Sequence, residues 1–400
     1  MTGGFSEARL QRLTAGMQAY IDGGIVTGVV TLLYRHGAIA HVDVLGFQDE
    51  EQQVPMRRDT IFRLASMTKP IISVATMMLL EEGKLRLDDP IERFLPEFAN
   101  PRVLRDPAGP LDDTYPAPRS VTVLDLLTHR AGILSRFTAQ GPLAEASAGL
   151  NLPTGFLLQG AGPDEWLKIL GALPLVFDPG REMLYGYTTD VLGFVVARAS
   201  GMPLEQFLQS RLFESLGMRD TAFHVPPGKM ARFPVAHAIN PADGKRVLFD
   251  RPGPTSRWAN PPAVPSGAGG LVGTIDDYLS FGRMLLEQGR GGADRILSRK
   301  SVELMRTNYL TPQQRMVPFF GWDMWSTRGF GLGLAVIDDP AQMGLGSVGR
   351  YGWGGAFSTA WSNDPKEDMV MLMMPQLLAG SATTPMEVDF LNLVYQAIDD

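Results

Sequence analysis

Ser66 and Lys69 stand three positions apart at the head of an apolar run that continues through Ile71, Ile72, Val74, Ala75, Met77, Met78, Leu79 and Leu80. On a helix, residues i and i+3 share a face, so the lysine amine can reach the serine hydroxyl. A serine hydroxyl is a weak nucleophile at neutral pH and needs an adjacent base. A lysine held among apolar side chains loses hydration of its charged form, so its pKa falls and it can take that proton. The helix N-terminus adds positive potential where an attacked carbonyl would gain negative charge. Taken alone the spacing is a weak signal, because a serine at a helix start is usually only a cap.

Two further groups could join this pair. Tyr185-Gly186-Tyr187 offers two phenols, either of which could exchange a proton with Ser66 and a leaving group. Trp353-Gly354-Gly355-Ala356 places paired glycines, which let a ligand approach the backbone, beside a large apolar ring with one N–H donor and no charge. His129 with Asp125 would make a Ser-His-Asp arrangement. The sequence lacks the G-x-S-x-G nucleophile elbow, so that reading is disfavoured.

The elements that must hold these residues can be read from periodicity. Leu10, Leu13, Met17 and Ile21 form one helical stripe over Glu7 to Asp22. The runs Gly28–Tyr34 and Ile39–Leu45, joined by Arg35-His36-Gly37, predict a hairpin. A buried helix follows from about Thr68 to Glu82, with Gly83 at its C-terminal cap. From Leu85 to about Pro262, helical patches at Val123–Leu127, Glu165–Leu170, Asp190–Ala199 and Leu204–Leu216 alternate with Pro- and Gly-rich loops. An amphipathic helix at Asp276–Glu287, strands at Gly331–Ile337, Ala356–Ser362 and Met369–Met374, and a last helix from about Thr384 to Ile398 complete the pattern. The expected fold is α/β (α+β), an antiparallel sheet flanked by helices and built from both chain ends. Residues 1–84 and 263–400 would form the sheet lobe and residues 85–262 a mostly helical lobe, with the site between them.

Composition narrows the chemistry. The chain has 400 residues, 44% hydrophobic and 20% charged, with a net charge of −7 and no basic run to bind nucleic acid. It contains no cysteine, which excludes disulfides, thiolate metal sites and a cysteine nucleophile. None of the five histidines sits at a metal-ligand spacing, so neither a metal nor another cofactor is expected. No apolar stretch of about 18 residues or basic-then-apolar leader occurs, so a cytoplasmic protein with no membrane partner is the expectation.

Five segments, in order, resemble the serine β-lactamase/penicillin-binding protein superfamily. They are Phe62-Arg63-Leu64-Ala65-Ser66-Met67-Thr68-Lys69; Leu124–Gly132, with Ala131 where that family commonly has Ser; Pro179-Gly180 with Tyr185-Gly186-Tyr187 and Asp190-Val191-Leu192-Gly193; Ser266–Leu271; and Trp353-Gly354-Gly355-Ala356. The offset from Tyr185 to Asp190-Val191-Leu192-Gly193 resembles that of related esterases. Trp353 stands where β-lactamases and D,D-peptidases carry a cation, and the W-G-G variant resembles the β-lactamase-like (family VIII) carboxylesterases.

The resemblance implies Ser66 as nucleophile, Lys69 and Tyr185 as proton carriers, and the Ser66 and Ala356 amides as oxyanion hole. It also implies substrate contacts from Trp353, Gly354, Gly355 and Tyr187. The implied activity is hydrolysis of a small, uncharged acyl ester. The same residues would serve a linear-amide hydrolase, an acyltransferase or a β-lactamase/D,D-peptidase. A catalytically dead binding module is the remaining alternative.

Overall fold

The computed structural model describes residues 3–135, 137–150, 157–158, 160–240, 242–292, 294–316, 319, 323–339, 345–378 and 384–400. Strand β1 (Gly28–Arg35) is buried along its whole length, so the sheet it enters must be covered on both faces. Alternate residues sort into two cores. Val30, Leu32 and Tyr34 enter one, and Val29 and Leu33 the other. The neighbouring strand Met369–Met374 divides likewise, Val370, Leu372 and Met374 against Met369, Met371 and Met373. A period of two is what a pleated strand imposes.

The sheet has eight strands in the order Arg328–Phe330, Ala335–Ile337, Tyr351–Gly354, Ala360–Asp364, Met369–Met374, β1, β2 (Ala38–Asp49) and β3 (Val54–Pro55). Every neighbouring pair is antiparallel. Both chain ends therefore build one sheet. The β1–β2 turn carries His36 at φ 53° and Gly37 at φ 81°, the left-handed pair that suits the twist of a two-residue hairpin.

One face is covered by α1 (Glu7–Asp22), through Leu10, Leu13 and Met17, and by the helix Met386–Tyr395, through Met386, Phe390 and Val394. The other face is covered by α2 (Thr68–Glu81) and by the helix Ile275–Leu286, which Thr274 caps by accepting from the Asp277 N–H. Residues Thr68 to Leu79 of α2 are all buried, because that helix also packs against Thr188–Ser200. α2 is thus a central post, with Ser66 in the turn that leads into it and Lys69 in its first turn.

Between residues 85 and 262 the helices Val123–Leu127, Gly141–Ser147, Pro163–Gly171 and Thr188–Ser200 alternate with loops, and the run Leu204–Leu216 contains a π turn at Gln209–Phe213. This segment also forms two small hairpins, Arg102–Leu104 with Thr114–Pro116 and Ala236–Ile239 with Arg246–Asp250. The second gains a parallel partner in Leu377–Leu378. Such short strands carry too few residues for an alternating pattern to register. One pairs across more than a hundred positions. The strands Arg328–Phe330 and Tyr351–Gly354 escape the sequence pattern for the same reason. The expected strand Gly331–Ile337 shortens to Ala335–Ile337, because Gly333 at φ 81° turns the chain there. Among the described residues no helix is long and apolar enough to cross a membrane.

Candidate active site

The residue that carries Ser66 forward is unusual. Ala65 sits at φ 44°, in a region that costs a non-glycine residue energy and persists only where neighbours over-determine it. Those neighbours are present. Phe62 and Arg63 pair with Gly273 and Val272, Leu64 N–H donates to Leu271 O at 3.0 Å, and Tyr278 Oη donates to Met67 O at 2.8 Å. The turn Ala65–Met67 then runs directly into α2. Ser66 is half-buried, while Lys69, one helical turn on, is 1% exposed.

Lys69 Nζ lies 3.1 Å from Ser66 Oγ and 2.7 Å from Ala268 O, donating to both. The same Nζ stands 4.3 Å from the centroid of the Tyr185 ring. Tyr185 Oη accepts from Trp353 Nε1 at 3.2 Å. Ser66 and Lys69, paired by spacing, and Tyr185 and Trp353, implied by the resemblance, therefore form one contiguous chain of contacts.

Tyr185 is held by its surroundings. Leu184 N–H donates to His129 O at 2.7 Å, and a Cβ at Gly186 would come within 2.8 Å of Leu134 O, so only glycine lets the segment pass there. Its ring meets His129 at 4.7 Å, Phe319 at 5.1 Å, Trp353 at 5.7 Å and Phe137 at 6.5 Å. Trp325 lies parallel to Trp353, with centroids 6.2 Å apart, and Phe330 meets both edge-on. The result is an apolar, aromatic wall. Phe319, Trp325 and Phe137 come from segments that carried no signal in the sequence.

The strand Tyr351–Gly354 packs against the Ser66 turn. Gly355 N–H donates to Thr359 O at 2.7 Å, and a Cβ on Gly355 would lie 2.4 Å from Leu64 O, which explains the second glycine. Gly354 and Ala356 are half-buried, and the Ala356 N–H has no hydrogen-bond partner among the described residues. An amide left open beside a serine turn is suited to receive an oxyanion.

Tyr187, expected at the substrate, is placed elsewhere. It is fully buried, with its ring edge-on to Trp166 at 5.5 Å in the main core. The Ser-His-Asp alternative also finds no geometry. Asp125 pairs with Arg119 at 2.6 Å and caps its own helix with Thr122. His129 instead bonds through Nδ1 to the Thr188 hydroxyl, and its Nε2 is buried without a partner. Burial, and secondarily the charge of Lys69, hold the His129 pKa well below the usual imidazole range, so its ring is neutral beside the lysine.

One anchor of Lys69 was invisible in residue types, because it is a backbone carbonyl. Asp190 and Ser266 lie behind it. Asp190 Oδ1 accepts from Ser266 Oγ at 2.6 Å and from Ala268 N–H at 3.0 Å. Among the described residues no group of three or more His, Asp or Glu could hold a metal ion.

Known proteins resemble the chain along nearly its whole length. The beta-lactamase family matches residues 13–390. An uncharacterized Mycobacterium tuberculosis protein is 41% identical over 366 residues, covering 90% of this chain and 88% of its own. Esterase EstB of Burkholderia gladioli is 33% identical over 400 residues, covering 96% and 95%. Among solved structures, EstCE1, described as a hydrolase with promiscuous acyltransferase activity, superposes with a TM-score of 0.82 at 27% identity, covering 97% of this chain and 99% of its own. Simvastatin synthase LovD of Aspergillus terreus shares the fold, with a TM-score of 0.78 at 23% identity over 98% of both chains. With nearly its whole length matched, the chain belongs to the beta-lactamase family.

Proposed function

We propose that this protein is a serine carboxylesterase that cleaves short-chain, uncharged acyl esters through an acyl-Ser66 intermediate. The observation that carries the reading is the 3.1 Å contact of Lys69 Nζ with Ser66 Oγ, set against an aromatic rather than cationic wall at Trp353. Ser66 Oγ bonds to the ester carbonyl carbon as its proton passes to the Lys69–Tyr185 pair. The Ser66 and Ala356 amides receive the oxyanion. The carbonyl–alkoxide bond then breaks, and the departing alkoxide takes the proton back by way of Tyr185. Water attacks the acyl carbon as one of its protons passes to the Lys69–Tyr185 pair, the acyl–Oγ bond breaks, and Ser66 Oγ takes that proton. The site lies between a sheet lobe, residues 1–84 and 263–400, and a mostly helical lobe, residues 85–262.

Trp353 decides the substrate class. A β-lactam carries a carboxylate, and an indole N–H already engaged with Tyr185 does not replace a cation for it. Kinship with EstB supports the ester reading. A second reading, acyl transfer to an alcohol instead of water, is favoured by the likeness to EstCE1 and uses the same acyl-enzyme.

The test is a panel of p-nitrophenyl esters of rising chain length run beside nitrocefin, on wild type and Ser66→Ala. The expected result is that kcat/KM favours the short esters over nitrocefin, that Ser66→Ala falls to background, and that a fluorophosphonate adds its mass to the Ser66 peptide. A kcat/KM for nitrocefin equal to that for the best ester, or labelling at another serine, overturns the proposal. Adding 1-butanol separates the two readings: butyl ester formed in place of free acid marks transfer.

A further inference from the structure

We propose that Asp190 is a positioning residue that moors Lys69 against Ser66 through the Ala268 carbonyl. This inference rests on the reading of Lys69 as a proton carrier. Asp190 is fully buried, yet it makes no ion pair and its Oδ2 has no partner among the described residues. Burial of a carboxylate is costly, and the hydrogen bonds it does make therefore matter for holding it. Both hydrogen bonds of the group converge on one oxygen. Oδ1 accepts from the Ser266 hydroxyl at 2.6 Å and the Ala268 N–H at 3.0 Å.

Those bonds fix the turn Ser266-Gly267-Ala268. Gly267 lies so close to the helix Thr188–Ser200 that a Cβ on it would meet Thr189 O at 2.5 Å. With the turn held, the Ala268 carbonyl points at Lys69 and accepts from its Nζ at 2.7 Å. A lysine has a flexible four-carbon stem and three donors. The carbonyl and Ser66 Oγ occupy two of those donors, which orients the amine. Asp190 also sits in the first turn of the helix that begins immediately after Tyr187. One helix start therefore sets the phenol of Tyr185 from its N-terminal side and the amine of Lys69 from its side chain. The two proton-handling groups are placed in register by a single element.

The experiment combines Asp190→Ala, Asp190→Asn and Ser266→Ala with steady-state ester kinetics and a crystal structure of each variant. Asp190→Ala is expected to lower kcat by about 10², the scale of lost acid–base catalysis, with KM within about threefold of wild type. It should also shift the acid limb of the pH–kcat profile, which a merely structural lesion would not move. Asp190→Asn should recover at least about tenfold of that loss, because its amide oxygen can accept both bonds now made by Oδ1. Ser266→Ala should cost less than Asp190→Ala. In the Asp190→Ala crystal, Lys69 Nζ should lie outside hydrogen-bond reach of Ser66 Oγ. A kcat within about threefold of wild type, or Lys69 still seated on Ser66, overturns the mooring. Where Asp190→Ala does not fold, Ser266→Ala with an unmoved Lys69 and unchanged kcat does the same. If Lys69→Ala keeps full turnover, the proposed function fails instead, and the crystal distances still judge the mooring.

Discussion

Arg63 and Lys69 flank Ser66 three residues to either side, and both are buried, at 0% and 1% exposure. Their surroundings are opposite. The Arg63 guanidinium pairs with the carboxylate of Asp250, donates to Pro234 O at 2.9 Å and Gln376 Oε1 at 3.0 Å, and lies 3.8 Å from the centroid of Phe233. Burial pulls its pKa down to about 10 while Asp250 opposes that pull, so it remains charged at neutral pH. Lys69 meets two uncharged oxygens, on Ser66 and Ala268, and the face of Tyr185. A buried cation locked to a carboxylate stabilises one charge state and one geometry. An amine that donates to neutral oxygens can give up its charge while those oxygens remain neutral. The first environment suits a strut and the second suits a proton carrier.

The sharpest way to break this comparison is to remove each cation in turn. Lys69→Ala should lower kcat for a p-nitrophenyl ester by about 10² or more. Its thermal melt should move less than on removal of Arg63, since the bonds lost to Ser66 and Ala268 are to neutral oxygens. Tyr185→Phe should act on kcat to a similar extent, whereas Tyr187→Phe should change kcat by less than about threefold. Parallel kinetics and melts on the three proteins check this. A catalytic loss confined to Tyr187→Phe would reverse the placement of the two tyrosines.

Arg63→Met should produce the opposite signature. It leaves the Asp250 carboxylate buried without its cation, a loss of about 3–5 kcal/mol in comparable buried pairs. The folded fraction should keep kcat within about tenfold, because the Arg63 guanidinium bonds to Pro234, Gln376 and Asp250 rather than to Ser66 or Lys69. Urea unfolding with activity measured on the folded baseline is the readout. A collapse of kcat with unchanged unfolding would show that Arg63 belongs to the chemistry.

Much of this contrast was legible in the sequence, and the remainder was not for identifiable reasons. The stripe Leu10, Leu13, Met17 and the hairpin over β1 and β2 follow from period alone, and both occur where the pattern put them. The closeness of Ser66 and Lys69 follows from a spacing of three on a buried helix. The proximity of Tyr185 to Lys69 did not follow from residue type, since Tyr187 offered the same phenol; the offset to Asp190 favoured Tyr185. Arg63 gave no hint of its carboxylate, because Asp250 comes from a short strand of a small sheet completed by Leu377–Leu378. The Ala268 carbonyl, the open Ala356 amide and the aromatic wall of Phe319 and Trp325 are consequences of tertiary placement.

The smallest expected effect concerns charge beside Lys69. If that neighbourhood is built to hold few charges, it should also refuse a proton on His129, whose ring lies 4.7 Å from Tyr185. Burial and the nearby lysine depress the pKa of this ring well below 6.5. In the unfolded chain the imidazole titrates near its usual value, so below about pH 6.5 the unfolded state binds a proton that the folded state rejects. Stability is then complete above that pH and declines as pH falls toward the folded pKa. The slope is at most about 1.4 kcal/mol per pH unit for one group. His237, also lowered by burial, adds a second contribution of the same sign. The comparison that isolates His129 is wild type against His129→Gln, each unfolded in urea at pH 7.5 and pH 5.5. The glutamine variant should lose less stability between the two pH values, even where its stability at pH 7.5 is lower. Identical pH sensitivity in the two proteins would mean that His129 takes up its proton in the folded state. The surroundings of Lys69 would then tolerate charge as those of Arg63 do.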